Sequence, residues 1–403
     1  MKLLHLGDLH LGRSLGDFDL IEDQKYILKQ ILDIIKEKKV DGVLIAGDVY
    51  DRAIPTEGAV NLLDEFIKDL SREKVATYII SGNHDSDDRL NFGSSLFEAG
   101  GIFIASRFDG TMKKFTAADD AGEVNIYLLP FVKASQVKHF YPDETIENYE
   151  DAVRVIIENS QVDYSQRNIC VAHQFVAGTE DPKTAGSETI ATLNVGLVEK
   201  IGYNIFENFD YTALGHIHSP QRIGAEHIRY SGSPLKYSLS EVNNDKSVPV
   251  ITLGKKGQVD IELVPLKPMR DLRHIKGTRK ALLDPANVTD TQDFIYVTLT
   301  EESIVSDAMG IFQATYPNTI KIDYENSHTR DLEQVDVADI SRNRAFSELI
   351  SDFYRQVFGC EITGQEQQVM MEVALEAGAI SESEYLKFKE ENKVEEAAAD
   401  ETN

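Results

Sequence analysis

Leu3-Leu4-His5-Leu6-Gly7-Asp8-Leu9-His10 opens the chain with an apolar run that ends on an acid and an imidazole. Leu3 to Gly7 reads as a buried strand, and Asp-X-His falls just past its carboxyl end. The arrangement recurs. Val40 to Ala46 is followed by Gly47-Asp48-Val49-Tyr50-Asp51, and Val75 to Ser81 by Gly82-Asn83-His84-Asp85. Asn168 to Ala172 is followed by His173-Gln174, and Tyr211 to Leu214 by Gly215-His216-Ile217-His218. Asn125 to Phe131 supplies a further central strand, and Leu20 to Lys38 a helix with Ile27, Ile31, Ile34 and Ile35 on one face. Short apolar runs alternating with amphipathic stretches define an α/β layered fold. In open α/β sheets the carboxyl ends of strands collect at one edge, so side chains far apart in sequence can converge there.

Composition bounds what such a site can be. The 403 residues are 42% hydrophobic and 27% charged, which excludes collagen-like, coiled-coil and wholly disordered chains. No apolar run approaches the ~18 residues of a membrane span, and the amino terminus reaches Asp8 too early for a signal peptide. A cytoplasmic protein with no membrane association is expected. Only Cys170 and Cys360 are present, so a disulfide framework or a thiolate zinc site is excluded, and Cys170 reads as a buried strand residue. Any metal must use oxygen and nitrogen ligands. Imidazoles mixed with carboxylates suit Mn²⁺, Fe²⁺ or Zn²⁺ better than Ca²⁺ or Mg²⁺.

The net charge of −27 opposes binding to phosphate backbones unless it is unevenly spread. Residues 331–403 carry 18 acidic against 6 basic residues. Conversely, Lys267, Arg270, Arg273, Lys276, Arg279 and Lys280 cluster around a single acid, Asp271. Lys267, Arg270, Arg273 and Lys276 are candidate DNA contacts, with a solvated hinge as the equal alternative. Near Leu266-Lys267-Pro268 the pattern changes, and an α+β segment follows in which Asp293 to Thr300 is a strand and Ile320 to Tyr324 its partner. Phe346, Leu349, Ile350, Phe353, Tyr354, Val357 and Phe358 then form an apolar helical stripe. A second helix opens at Thr363-Gly364-Gln365-Glu366, which has capping-box spacing. The expected domains are 1–265, 266–335, a helical region at 340–390 and an acidic, disordered tail at 391–403.

Each strand-end fragment is weak alone; their ordered combination resembles the calcineurin-like metallophosphoesterase superfamily over roughly residues 1–260. Leu11-Gly12, Ser187-Glu188 with Val195-Gly196, Tyr211 to Gln221 and Tyr230-Ser-Gly-Ser-Pro-Leu-Lys-Tyr-Ser-Leu-Ser-Glu241 are similar to the SbcD family, the nuclease subunits of bacterial SbcCD complexes. This resemblance implies a β-sandwich flanked by helices, with a small α+β capping domain and C-terminal helices. It implies one divalent ion, by preference Mn²⁺, on Asp8, His10 and His218, a second on Asn83, His173 and His216, and Asp48 bridging the two. His84 would contact the scissile phosphate and protonate the leaving oxygen, or else only orient its neighbours. Asp51 stands where some relatives outside bacteria have His, so it positions His84 or phosphate, or caps a helix; Asp85 would support its neighbours. His5 reads as a packed sheet residue, and His139, His227, His274 and His328 receive no role.

The implied activity is double-strand 3′→5′ exonuclease and single-strand endonuclease action on DNA ends and hairpins, in repair, recombination and replication. The implied partners are the ATPase SbcC, gripped by the apolar stripe unless the stripe packs back onto the preceding domain, and a second copy of the chain, met through the Glu57 to Leu70 helix, in a heterotetramer. The rival readings are a phosphatase on the same metal core and a non-catalytic scaffold protein.

Overall fold

The computed structural model describes residues 1–184, 200–325, 346–358, 362–376, 380–381 and 385–389. Ser187-Glu188, Val195-Gly196, His328, Cys360 and the 391–403 tail lie outside them. The chain divides into two compact units, Met1–Tyr324 and Glu325–Asn403.

In chain order the longer strands of the first unit are β1 (Lys2–Leu6), β2 (Gly42–Ala46), β3 (Ala76–Ile80), β4 (Ile102–Ala105), β5 (Lys113–Asp119), β6 (Gly122–Leu129), β7 (Arg167–His173), β8 (Tyr211–Gly215), β9 (Gln221–Ile223), β10 (Ala225–Tyr230), β11 (Ser247–Leu253), β12 (Val259–Pro265), β13 (Leu272–Gly277), β14 (Phe294–Leu299) and β15 (Thr319–Tyr324). One six-stranded sheet runs β12-β11-β1-β2-β3-β4 and a second runs β9-β10-β8-β7-β6-β5. In both, the central strands are parallel and the flanking hairpins antiparallel. The two sheets face each other across Leu3, Leu44, Tyr78 and Ile80 on one side and Ile126, Leu128, Ile169, Val171 and Ala213 on the other. Because strand side chains alternate, Leu4, Leu6, Val43 and Ile45 point outward, onto Ile27, Ile31 and Ile35 of the Ile21–Lys38 helix and Leu63 and Phe66 of the Glu57–Arg72 helix. The outer face of the second sheet is covered in the same way by Val153 and Ile156 of the Tyr149–Asn159 helix. The result is helix, sheet, sheet, helix, the layered sandwich expected.

Elements missed in the sequence are mostly edge strands. β5 alternates half-buried and exposed residues, and β12 is largely exposed, so neither carries a continuous apolar run. One reading needs correction. The basic stretch after Lys267 is no simple hinge, because Leu272–Gly277 is a strand paired in parallel with β14, which pairs in turn with β15. Arg270 forms an ion pair with buried Asp23 and lies 4.4 Å over the Phe294 ring, while Arg273 pairs with Asp293 at 2.7 Å. His5 is the packed residue anticipated: its Nδ1 lies 3.0 Å from the Tyr211 hydroxyl of the opposite sheet, and burial lowers its pKa to about 3.

In the second unit, Ile350 of the Phe346–Phe358 helix is buried with Met371, Ala374, Tyr385 and Phe388, and Phe346 packs on the same cluster. The capping box at Thr363 forms: Glu366 N donates to Thr363 Oγ1, and Glu366 Oε2 accepts from Thr363 N at 2.9 Å.

The two sheets approach each other tightly at their carboxyl edge. A Cβ on Gly215 would lie 1.9 Å from the Ala46 carbonyl oxygen, so only glycine lets β8 end against β2. Gly215→Ala should therefore lower unfolding free energy by about 1–3 kcal/mol, the usual range for an overpacked core, as read from urea denaturation.

Candidate metal centre

The loops that leave β1, β2 and β8 at this shared edge turn sharply. Asp8, His10, Asp48 and His216 all have positive φ, of 53°, 44°, 48° and 99°. Asp and His tolerate the left-handed region better than most residues, and four such conformations in one place are held only because the surroundings determine them. The turns aim the side chains inward. His216 N donates to Asp8 Oδ1 at 2.8 Å, and His84 N to Asp48 Oδ1 at 2.9 Å, tying loops from opposite sheets and from neighbouring strands to the same carboxylates.

The functional atoms form one cluster. Nε2 of His10 and Nε2 of His218 are 3.1 Å apart. Asn83 Oδ1 lies 3.1 Å from His173 Nε2 and 3.0 Å from His216 Nδ1. Asp48 Oδ2 sits between the groups, 3.6 Å from His10 Nε2 and 3.3 Å from His173 Nε2. Ligand-type atoms of Asp8, His10 and His218 lie within 4.8 Å of one another, as do those of Asp8, Asp48 and His173. Asp8 Oδ2 and His216 Nε2 are buried with no hydrogen-bond partner, which is costly unless a cation completes them. The seven residues fit divalent ions held by oxygen and nitrogen.

Local contacts fix which ring nitrogens are available. His173 Nδ1 donates to the Ala46 carbonyl at 2.7 Å, which leaves Nε2 as the atom facing Asp48 and Asn83. His84 Nδ1 donates to the Asp51 carbonyl at 3.0 Å, and the His84 side chain is exposed at the mouth. Asp51 thus holds His84 through its backbone; its carboxylate lies 2.9 Å from Arg13 and 3.5 Å from His10 Nδ1. Burial works against Asp51, but His10 and Arg13 hold its pKa at about 2. Asp85 does not face the cluster. Its carboxylate accepts from Val49 N, Tyr50 N and Gly82 N at 3.0, 2.9 and 2.9 Å, clamping the β2 loop to the β3 loop.

Electrostatics follow from burial. It lowers His10 to about 4 and His216 to about 3, so both present neutral imidazoles, and it raises Asp8 to about 6. For His173 burial is outweighed by the Asp48 carboxylate, which lifts it to about 9, while Asp48, against its own burial, is held well below the usual carboxylate range by His173.

Three residues with no role in the sequence reading belong to this architecture. Gln24 donates to the His10 carbonyl at 2.8 Å, the Tyr237 hydroxyl donates to the Leu9 carbonyl at 2.5 Å, and Glu241 lies 3.4 Å from His218 Nδ1. Tyr237 and Glu241 sit in the Tyr230 to Glu241 motif; a polar residue inside an otherwise apolar helix face was the only signal for Gln24.

Fold and site together define a family. Residues 1–220 match the calcineurin-like phosphoesterases, and the chain belongs to them. Residues 268–358 match the domain described as the type 5 capsule protein repressor C-terminal domain. The SbcD component of the nuclease SbcCD from Staphylococcus epidermidis is 34% identical over 365 residues, which cover 89% of this chain and 93% of that protein. The chain is a metal-dependent phosphodiester hydrolase of the SbcD family. A solved dimetal phosphatase from Danio rerio aligns with a TM-score of 0.35 at 11% identity, over 66% of this chain and 96% of that one. Among the described residues, no helix is long and apolar enough to cross a membrane.

The Asp85 clamp yields a prediction. Asp85→Ala strands three buried amide N–H groups, each worth about 1–3 kcal/mol, and should destabilise the protein by about 3 kcal/mol or more in urea unfolding. Asp85→Asn, which keeps one acceptor oxygen, should lose less.

Proposed function

We propose that the chain is a two-metal DNA phosphodiesterase that acts with an SbcC ATPase in the cytoplasm, using Mn²⁺, as a double-strand 3′→5′ exonuclease and single-strand endonuclease. The observation that carries the reading is the convergence of seven ligand-type side chains in which Asp8 Oδ2 and His216 Nε2 are left buried without partners. In this reading Asp8, His10 and His218 hold one ion, Asn83, His173 and His216 the other, and Asp48 reaches both. When bound, such a pair supplies acidified water and neutralises charge at the phosphorus. The chain's own residues do the rest. His84, oriented by the Asp51 carbonyl and open to solvent, meets the phosphate and delivers a proton to the leaving oxygen. Arg13 keeps the Asp51 loop in place through its carboxylate.

Partner surfaces fit the same reading. Phe353 is 59% exposed and Val369 and Val373 are each 57% exposed, an apolar surface suited to SbcC, whereas Ile350 is already enclosed within its own unit. Leu349 and Tyr354 are half-buried, and the side chains of Val357 and Phe358 lie outside the described residues. Phe92 and Leu96, 82% and 78% exposed beside the Glu57–Arg72 helix, suit a second copy of the chain. Of the basic segment, Lys267 is the better candidate for DNA than Arg270 and Arg273, which serve intramolecular ion pairs.

Labelled duplex DNA, a generic phosphodiester and a phosphomonoester, each assayed with Mn²⁺, test the proposal. Cleavage of DNA is expected; hydrolysis of the phosphomonoester alone would make the chain a phosphatase. Asp48→Asn should reduce cleavage to background and lower bound metal. His84→Ala should lose about 10²–10⁴-fold in turnover while keeping its metal content, and loss of an ion from that variant would make His84 a ligand.

A further inference from the structure

The Tyr230 to Glu241 motif surrounds a buried charge that the proposed chemistry does not use. Glu241 is 0% exposed. Its Oε2 accepts from Lys246 Nζ at 2.5 Å and from Ser233 Oγ at 3.3 Å; its Oε1 accepts from Tyr237 N at 3.2 Å and Ser238 Oγ at 3.1 Å. Oε1 also faces His218 Nδ1, 3.4 Å away. Lys246, itself buried, reaches the same histidine from the other end, donating from Nζ to the His218 carbonyl at 2.8 Å and to Ser233 Oγ at 2.8 Å. One ammonium therefore ties the backbone of His218 to the carboxylate that faces its ring.

A buried ion pair is weak evidence for stability, because desolvating both charges offsets most of their attraction, and apolar replacements are often neutral or stabilising. Its geometry is informative instead. An ionised carboxylate only accepts, so the neutral His218 ring must carry its proton on Nδ1, and the lone pair then lies on Nε2, the atom 3.1 Å from His10 Nε2. A carboxylate behind a ligating imidazole fixes the tautomer, orients the ring and raises its basicity.

We infer that Glu241, locked by Lys246, is a positioning residue that selects the Nδ1-protonated tautomer of His218 and so prepares Nε2 as a ligand. The second half of the inference rests on His218 belonging to the metal set; the first does not.

The experiment separates them. At a pH where the ring is neutral, ¹⁵N spectra of imidazole-labelled, metal-free full-length protein should show the His218 proton on Nδ1; a neutral ring with its proton on Nε2 overturns the inference without any variant. Glu241→Leu combined with Lys246→Met removes both charges at similar volume. That variant should remain folded without urea but with a lowered midpoint, because the buried Tyr237 N–H and the His218 carbonyl lose these hydrogen bonds; it should lose the single tautomer and bind Mn²⁺ about 10–100-fold more weakly in competition with a chelator. Glu241→Gln with Lys246→Met restores an acceptor at Nδ1 and should recover the tautomer and most of the affinity. Wild-type Mn²⁺ affinity in the pair-free variant, or a further loss when the pair is removed in a His218→Ala background, would refute positioning through His218. If His218→Ala alone binds Mn²⁺ as wild type does, His218 is not a ligand and the metal assignment fails, while the tautomer spectra still decide the role of Glu241.

Discussion

Everything at the site depends on how closely two backbones approach. β8 ends with Gly215 against the Ala46 carbonyl, which already accepts the Nδ1 proton of His173 from the neighbouring strand β7. This contact closes the carboxyl edges of the two sheets onto each other. Carboxylates and imidazoles carried by separate sheets then fall within hydrogen-bond distance, and none of their loops needs to be long. Were the sheets a few ångströms further apart, the same side chains would line an open cleft and could not share Asp48.

That geometry also explains what was legible beforehand. Asp8, His10, Asp48, Asn83, His173, His216 and His218 were readable because each ends or follows a strand whose apolar run is continuous, and such runs come from strands buried on both faces. The edge strands were not, since β5 and β12 are buried on one side at most and their alternation merges with ordinary polar sequence. Glu241 and Gln24 escaped for another reason. Residues that orient a ligand need only reach it in space, so no spacing rule marks them, and a buried glutamate looks in sequence like any of the many solvated acids of this chain.

The basic cluster shows the same limit from the opposite side. Its composition invited a reading as a phosphate-binding surface, yet Arg270 stacks on Phe294 and pairs with Asp23, and Arg273 is taken up by Asp293 together with the Thr289 and Asp290 carbonyls. Local charge density counts residues, whereas availability depends on what lies opposite them. In a chain with a net charge of −27, a guanidinium readily finds a carboxylate within reach. Attraction for a polyanion would then reside mainly in cations at the strand-end cluster.

The order of strands in the first sheet has a consequence for synthesis. β1 pairs on one side with β2, but on the other with β11, which contains Ser247–Leu253. At a ribosomal rate of about 5–20 residues per second, β1 waits on the order of ten to fifty seconds with that edge unpaired. Residues from Asp8 to Glu241 must all have emerged before the cluster around His218 can close. The nascent chain therefore carries an open, apolar strand edge of the kind that invites pairing with other chains, and hydrolytic capacity can appear only after Glu241 has left the tunnel.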